Sequence, residues 1–280
     1  MTLDEQSNVK SSISHKQKRV LILIPARFNS SRFPGKPLAE VINGQSMIEM
    51  VYQNCLEAFN QSNVQDALDL IGEVAVVTDD DKIAQHLKDK QINFTRVDDD
   101  VVSGTERVAL AYKRFFKPEK VWDLVLNVQG DEPLLSGLEV RELIKFHLYR
   151  PDFSLGTMVT ERRDAEGFND PNRVKAIWSP ASSQCLYFSR ASIPYDRDRR
   201  RDLSEDVHWY LHIGIYSFIP TALEKFVSLK VGELEEREKL EQLRALENGM
   251  SIGAIVIESQ LIGVDTPEDL IRLKGALNAS

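Results

Sequence analysis

Cysteine is scarce in this 280-residue sequence: only Cys55 and Cys185 occur. That excludes a disulfide-framed secreted scaffold and a zinc site built on cysteines. No apolar stretch reaches the roughly 18 residues that a membrane-spanning helix needs. Residues 1–18 are polar and Ser-rich, with no apolar core of the signal-peptide kind. They are expected to form a disordered extension ahead of one folded unit, residues 19–280. Positive charge is in deficit, with 35 Lys and Arg against 43 Asp and Glu and a net charge of −8. Non-specific nucleic-acid binding runs on basic surface, so the balance speaks against a nucleic-acid partner. It leaves room for a local cationic pocket. Internal repeats and Gly-Ser linkers are also missing. What remains is an ordinary globular composition, 42% hydrophobic and 28% charged. The expectation is a soluble cytoplasmic enzyme or binding protein with no membrane insertion.

The hydrophobic pattern alternates between two periods. Residues 20–24 form an aliphatic run closed by Pro25, as in a strand buried on both faces of a parallel sheet. Met47, Ile48, Val51, Tyr52, Cys55, Leu56 and Phe59 then recur at helical spacing. Strands are predicted at 73–78, 92–96 and 124–128, and helices at 81–90, 105–116 and 137–148. Strands alternating with such helices mean βαβ units and a mostly parallel, Rossmann-like α/β sheet. Ligands of such sheets bind beyond the carboxyl ends of the strands, where the segments after Ile24, Thr78 and Val128 should converge. The second half predicts a smaller mixed β region, with strands at 157–160, 174–178, 185–189, 214–218 and 251–257. A charge-dense loop is expected at 196–206. One continuous helix is predicted over 233–248, and a last one over 266–277, with Thr266 as its N-cap and Pro267 as its first residue.

Three segments carry chemistry. IPARFNSSRFPGKPL places Arg27, Arg32 and Lys36 in one loop after a buried strand, with Ser30, Ser31 and Gly35 small enough for backbone N–H groups to approach a ligand. Arginine forks and a lysine point charge suit a triphosphate. The loop is neither a Walker A motif nor a G-x-G-x-x-G turn; an exposed basic turn would have the same letters. LNVQGDEP puts Asp131 just past a buried strand, and GVDTPEDL puts Asp265 before a helix. Either acid could serve a turn or a helix cap. Together, beside a cationic loop, they suit Mg²⁺-assisted chemistry at phosphorus. SGTER, residues 103–107, suits a nucleobase or sugar edge, and equally a plain N-cap. His208 and His212 fall in a strand context that argues against a metal pair, while His212 or Tyr216 could line a pocket. In EKLEQLR, Glu238, Glu241 and Gln242 share one face of the predicted helix, either as a solvated face or as a polar wall for sugar hydroxyls.

These segments, with VVTDDDKI, DPNRVKAIW, LYFSRASIPYDRD and HIGIYSF, occur in the order seen in the 3-deoxy-manno-octulosonate (Kdo) cytidylyltransferases, and the chain resembles that family from about Arg19 to Lys274. The resemblance implies one nucleotidyltransferase domain of the nucleotide-diphospho-sugar transferase type. It implies a homodimer with contacts near 185–218, and a reaction in which CTP and an acidic eight-carbon sugar give CMP-Kdo and pyrophosphate for lipopolysaccharide synthesis. It implies phosphate binding by Arg27, Arg32 and Lys36, of which Arg27 and Lys36 act with Asp131 in catalysis. Ala26, Thr78, Ser103, Gly104, Thr105 and Arg107 fall on the CTP side. Asp131 and Asp265 would hold Mg²⁺. Gln129, Arg190, His212, Tyr216, Glu238, Glu241 and Gln242 would line the sugar pocket. The chain departs from the family at Asp100-Val101-Val102, at Tyr195 and at 245–249, all away from the phosphate and metal residues. An acceptor such as 8-amino-3,8-dideoxy-manno-octulosonate is therefore an alternative. A cytidylyltransferase for another acid sugar, such as a sialic acid, and a non-catalytic sugar-nucleotide binding protein are remoter ones.

Overall fold

The computed structural model describes residues 17–29, 32–60, 68–197, 207–258, 263–264 and 266–279. The extension expected at 1–18, but for its last two residues, and most of the loop expected at 196–206 lie outside them.

The strands are β1 (Lys18–Ala26), β2 (Glu40–Ile42), β3 (Gln45–Ser46), β4 (Leu70–Thr78), β5 (Phe94–Arg96), β6 (Leu124–Asn127), β7 (Leu155–Arg162), β8 (Lys175–Ser179), β9 (Gln184–Ser189), β10 (Trp209–Phe218) and β11 (Ile252–Ile257). The helices are α1 (Met47–Glu57), α2 (Asp81–Asp89), α3 (Gly104–Ala111), α4 (Gly137–Tyr149), α5 (Ala165–Asn169), α6 (Pro220–Ser228), α7 (Glu233–Glu238), α8 (Gln242–Glu247) and α9 (Pro267–Ala279).

The aliphatic run of β1 is buried on both faces. Leu21 and Leu23 pack in one apolar cluster with Val108 of α3 and Leu223 of α6. Val20, Ile22 and Ile24 pack in another with Val51 of α1 and Val140 of α4. Because both faces are covered, no polar alternation is needed, and the continuous run follows. Among the described residues the main sheet has nine strands in the order β5-β4-β1-β6-β10-β7-β11-β9-β8. β5, β4, β1 and β6 are parallel. β10 runs antiparallel to β6 and β7, β11 is parallel to β7, and β8 and β9 are antiparallel. The α/β architecture expected from the sequence is present. The mixed second half extends the same sheet rather than forming a separate one. From β1 the chain moves outward through β4 and β5, then returns to β6 on the other side. That reversal opens the crevice in which such sheets bind ligands.

Helix starts follow local chemistry. Ser46 with Glu49, and Ser136 with Glu139, form capping boxes at α1 and α4. Thr266 caps α9, its hydroxyl accepting from the Asp269 N–H at 3.3 Å. The sequence reading passed over α5, α6 and the β2–β3 hairpin, although the Asn43-Gly44 pair in its turn is a hairpin signal.

The helix expected over 233–248 is broken, which is a correction. Lys239 adopts a left-handed conformation, φ 54° and ψ 45°. The break separates Glu238 from Glu241 and Gln242, which therefore do not share one helical face. Tertiary contacts hold it open. The Arg190 guanidinium donates to the carbonyls of Glu238 and Lys239 at 2.7 and 3.5 Å. Arg244 reaches back to Glu235 at 2.6 and 2.7 Å, fastening α8 against α7. A periodicity that fits one helix thus yields to side-chain bonds at the turn between two.

Gly137 lets α4 lie close against the end of α1. A Cβ there would lie 2.6 Å from Glu57 Cβ, 2.8 Å from Asn54 O and 2.9 Å from Ala58 N. Alanine is the better helix former by about 1 kcal/mol, but two of the opposing atoms are backbone. Gly137→Ala is expected to cost a net 1–2 kcal/mol, roughly, by overpacking. A urea melt with an unchanged or raised midpoint would contradict this packing account.

Candidate active site

Three loops leave the sheet at one edge, after β1, β4 and β6. The first closes on itself: Gly35 is left-handed at φ 73°, and its N–H donates to the Phe28 carbonyl at 2.8 Å. The Lys82 ammonium lies over the Phe28 ring at 4.5 Å. This pinned loop carries Arg27 and Lys36. Arg32 is exposed. Ser30 and Ser31 lie outside the described residues.

Lys36 Nζ meets Asp131 Oδ2 at 2.9 Å, with side-chain exposures of 14% and 33%. The pair joins the loop after β1 to the turn after β6. Val264 N–H donates to the Asp131 carbonyl at 3.0 Å, so Val264 is held at the same turn. Asp265 itself lies outside the described residues. Among the described residues no three His, Cys, Asp or Glu side chains converge as a metal cluster. His208 pairs with Glu161 at 3.3 Å, away from His212's partners.

Behind this mouth lies a second cationic layer. Arg107 is buried and donates to Asp79 Oδ2 at 2.6 Å and to the Val97 carbonyl, while its Nε has no partner among the described residues. Arg27 donates to the Val101 carbonyl at 3.2 Å. Burial pushes the Arg27 pKa down and Arg107 adds to the effect, while Asp79, Glu106 and Glu241 oppose it. An incoming anion would relieve that crowding of positive charge. Ser103 is an N-cap, its hydroxyl accepting from Glu106 N–H at 3.1 Å. Thr78 is buried and accepts from Asp80 N–H at 3.2 Å. Ala26 is its in-register partner at the end of β1. Gly104 sits beside Pro25 and Gln129.

A buried polar chain crosses from here to the break between α7 and α8. Gln129 Nε2 donates to Asn127 Oδ1 at 3.3 Å, and Asn127 Nδ2 donates to Thr105 Oγ1 at 3.0 Å. Thr105 Oγ1 donates to Glu241 Oε2 at 2.7 Å. Thr105, Tyr216, Glu241 and Gln242 line one small void. Glu241 Oε1 and Gln242 Nε2 are buried without a partner among the described residues. Such orphans are costly unless a ligand or water completes them. Burial also raises the Tyr216 pKa well above the ordinary tyrosine value, with Glu241 adding to it.

His212 packs edge-on to Phe188 and tilts against Tyr216, with centroids 4.8 and 5.6 Å away. Its Nε2 lies 3.1 Å from Thr157 Oγ1. The Thr157 hydroxyl donates to the Ile215 carbonyl at 2.7 Å, so the imidazole is the donor, in its neutral Nε2–H form. Arg190 and Glu238 form a separate group. Besides its bonds at the helix break, Arg190 donates to the Pro171 carbonyl at 2.9 Å, and its backbone N–H donates to Glu238 Oε2 at 2.9 Å. Glu238 Oε1 accepts from Ser189 Oγ at 2.6 Å. The two residues are tied to each other and to the backbone, and no hydrogen bond among the described residues joins them to the Thr105–Glu241 chain. Both thiols are inert in character: burial raises Cys55 and pushes Cys185 up to about 12.

Asn127, Asp79 and Phe28 escaped the sequence reading. Asn127 carried a usable signal, an amide within an aliphatic run, which must find partners once buried.

A cationic loop opposite a carboxylate, at the switch point of an α/β sheet, suits an enzyme that handles nucleotide phosphates. Residues 21–252 match the cytidylyltransferase family model, and the chain belongs to that family of nucleotidyltransferases. It is 41% identical over 262 residues to the 3-deoxy-manno-octulosonate cytidylyltransferase of Rhodospirillum rubrum, covering 92% of this chain and 95% of the relative. It is 38% identical over 252 residues to the 8-amino-3,8-dideoxy-manno-octulosonate cytidylyltransferase of Shewanella halifaxensis, covering 90% and 95%. Among solved structures it resembles CMP:2-keto-3-deoxy-manno-octonic acid synthetase complexed with CTP, with a TM-score of 0.80 and 30% identity over 94% of this chain and 99% of that one.

Burial pushes the His212 pKa down to about 3, below the unfolded value of about 6.5. The unfolded state therefore takes up a proton first as pH falls. Stability is full above about pH 6.5 and declines below it, by up to ~1.4 kcal/mol per pH unit from this group. His147, also lowered by burial, acts in the same direction. His212→Gln is expected to flatten the loss between pH 6.5 and pH 5 in urea melts. An equally steep loss in the variant would contradict the assignment.

Proposed function

We propose that the protein transfers CMP from CTP to the anomeric hydroxyl of Kdo, releasing pyrophosphate. The observation that carries this reading is the Lys36–Asp131 pair across the switch-point crevice, in a chain of the cytidylyltransferase family. Arg27, Arg32 and Lys36 take the triphosphate. Ala26, Thr78, Ser103, Gly104, Thr105 and Arg107 enclose the cytidine side. The acceptor's anomeric oxygen forms a bond to the α-phosphorus in line as the bond to pyrophosphate breaks. Positioning and fixed charge do most of the work, with no covalent enzyme intermediate.

The residues present fit Mg²⁺. Asp131 offers a hard oxygen ligand at the mouth, and Val264, the residue before Asp265 in sequence, is bonded to the Asp131 carbonyl. Asp131 and Asp265 would hold the ion, with substrate phosphates as further ligands. Bound there, Mg²⁺ supplies charge neutralisation on the phosphates and orients them. The protein's own part is to keep Asp131 ready. Lys36 balances its charge in the free enzyme and is then available to the phosphates.

On the acceptor side we assign Gln129, His212, Tyr216, Glu241 and Gln242 to the sugar. Arg190 and Glu238 hold the break beside it. The second reading, 8-amino-Kdo as acceptor, is favoured by relatives of that name at similar identity. We further propose one nucleotidyltransferase domain over 19–280, a cytoplasmic location, and a homodimer. The dimer contact falls near 185–218, where Leu186 and Tyr195 are exposed. No helix among the described residues is long and apolar enough to cross a membrane.

Asp131→Ala is expected to cut Mg²⁺-dependent pyrophosphate release by at least about a hundredfold. Metal-free CTP binding should be unchanged or tighter, because Lys36 loses its competing anion. Lys36→Ala should instead weaken metal-free CTP binding, by about tenfold or more. Near-normal turnover by Asp131→Ala would contradict the assignment.

A further inference from the structure

We propose that Asn127 is a positioning residue that sets the hydrogen-bond polarity of the acceptor pocket. The inference rests on reading Gln129 and Glu241 as acceptor-side groups.

Asn127 is fully buried at the end of β6. Its amide is used at both ends: Nδ2 donates to Thr105 Oγ1, and Oδ1 accepts from Gln129 Nε2. A threonine hydroxyl has one proton. Since Asn127 donates to the Thr105 oxygen, that proton is directed to Glu241, and the structure shows it there. One carboxylate oxygen of Glu241 is thereby occupied. The other, Oε1, is buried and unpartnered among the described residues, and is left to accept. At the other end, the Asn127 carbonyl takes an N–H from Gln129, which orients that amide and leaves its Oε1 free of the relay.

A single side chain on β6 therefore fixes which oxygens of two groups, on the loop after β6 and on the segment before α8, are left to accept. Two oriented acceptors suit the donating hydroxyl groups of a polyhydroxylated sugar rather than its carboxylate or a phosphate. Asn127 itself is too enclosed to be assigned to the ligand. Its part is to decide which way every proton in the relay points.

The relay's polarity gives a discriminating test. Asn127→Asp keeps the shape but leaves two carboxylates competing for the one Thr105 proton. The KM for the sugar is expected to rise by about tenfold or more, with the KM for CTP within about twofold of wild type. Adding Glu241→Gln supplies a new donor. The amide introduced at position 241 can donate to Thr105, whose hydroxyl then serves the carboxylate introduced at position 127, so the relay runs in reverse. The double variant, Asn127→Asp with Glu241→Gln, is expected to bring the sugar KM at least about threefold below that of Asn127→Asp alone. A role in packing alone would move both KM values together and gain nothing from the second change. An unchanged sugar KM in Asn127→Asp, or no recovery in the double variant, would overturn the proposal. If Asn127→Asp does not fold, the double variant is still expected to fold, and its failure to do so would overturn the proposal equally. Failure of the underlying functional reading looks different: wild-type protein would then release no pyrophosphate from CTP with an acid sugar.

Discussion

The double burial of β1 is the constraint on which the rest depends. A strand covered on both faces must carry an uninterrupted aliphatic run, and it must sit between neighbours whose connections cross the sheet. β4 lies on one side and β6 on the other, so the chain reverses direction at β1. The reversal opens a crevice at the carboxyl ends of these strands. Everything chemical is hung from that edge: Arg27 and Lys36 from β1, Arg107 through its bond to Asp79 after β4, and Asp131 after β6.

The charge arrangement at the edge resolves an apparent contradiction with the acidic whole. The chain carries a net −8, yet its crevice crowds Arg27 against Arg107, which adds to the lowering of the Arg27 pKa by burial. Solvated carboxylates on the outside set solubility and say little about a site built for a triphosphate. Within the site, opposite charges are kept close and ready to exchange partners. The Lys36–Asp131 pair is partly buried rather than enclosed, so separating it on ligand arrival costs less than separating a fully buried pair would.

Much of this was legible in the residues, for identifiable reasons. β1, β4 and β6 are local patterns: aliphatic runs ended by Pro25, Thr78 and the Gln129-Gly130 turn. The cationic loop and the acid at 131 follow those runs directly, so the topology rule for α/β sheets brings them together. What could not be read depends on contacts distant in sequence. The segment EREKLEQLR has faultless helical periodicity, and only the Arg190 guanidinium reaching Glu238 and Lys239 shows why it breaks. The antiparallel insertion of β10 between β6 and β7 is likewise a non-local pairing with no local signature. Asn127 was hidden by its neighbours: in LVLNV it reads as part of the strand, and its partners lie on α3 and after β6. Arg190 and Glu238 were readable as polar residues near a pocket. Their engagement with each other and with backbone carbonyls was not.

This crevice transfers CMP to Kdo, with the 8-amino sugar as the rival acceptor. The most direct measurement is the initial rate of pyrophosphate release by wild-type protein with CTP and Mg²⁺, taken in parallel with Kdo, with 8-amino-Kdo and with no acceptor. Release is expected to require an acceptor and to be at least as fast with Kdo as with its 8-amino counterpart. No release with either sugar, or release confined to the 8-amino sugar, would contradict that expectation.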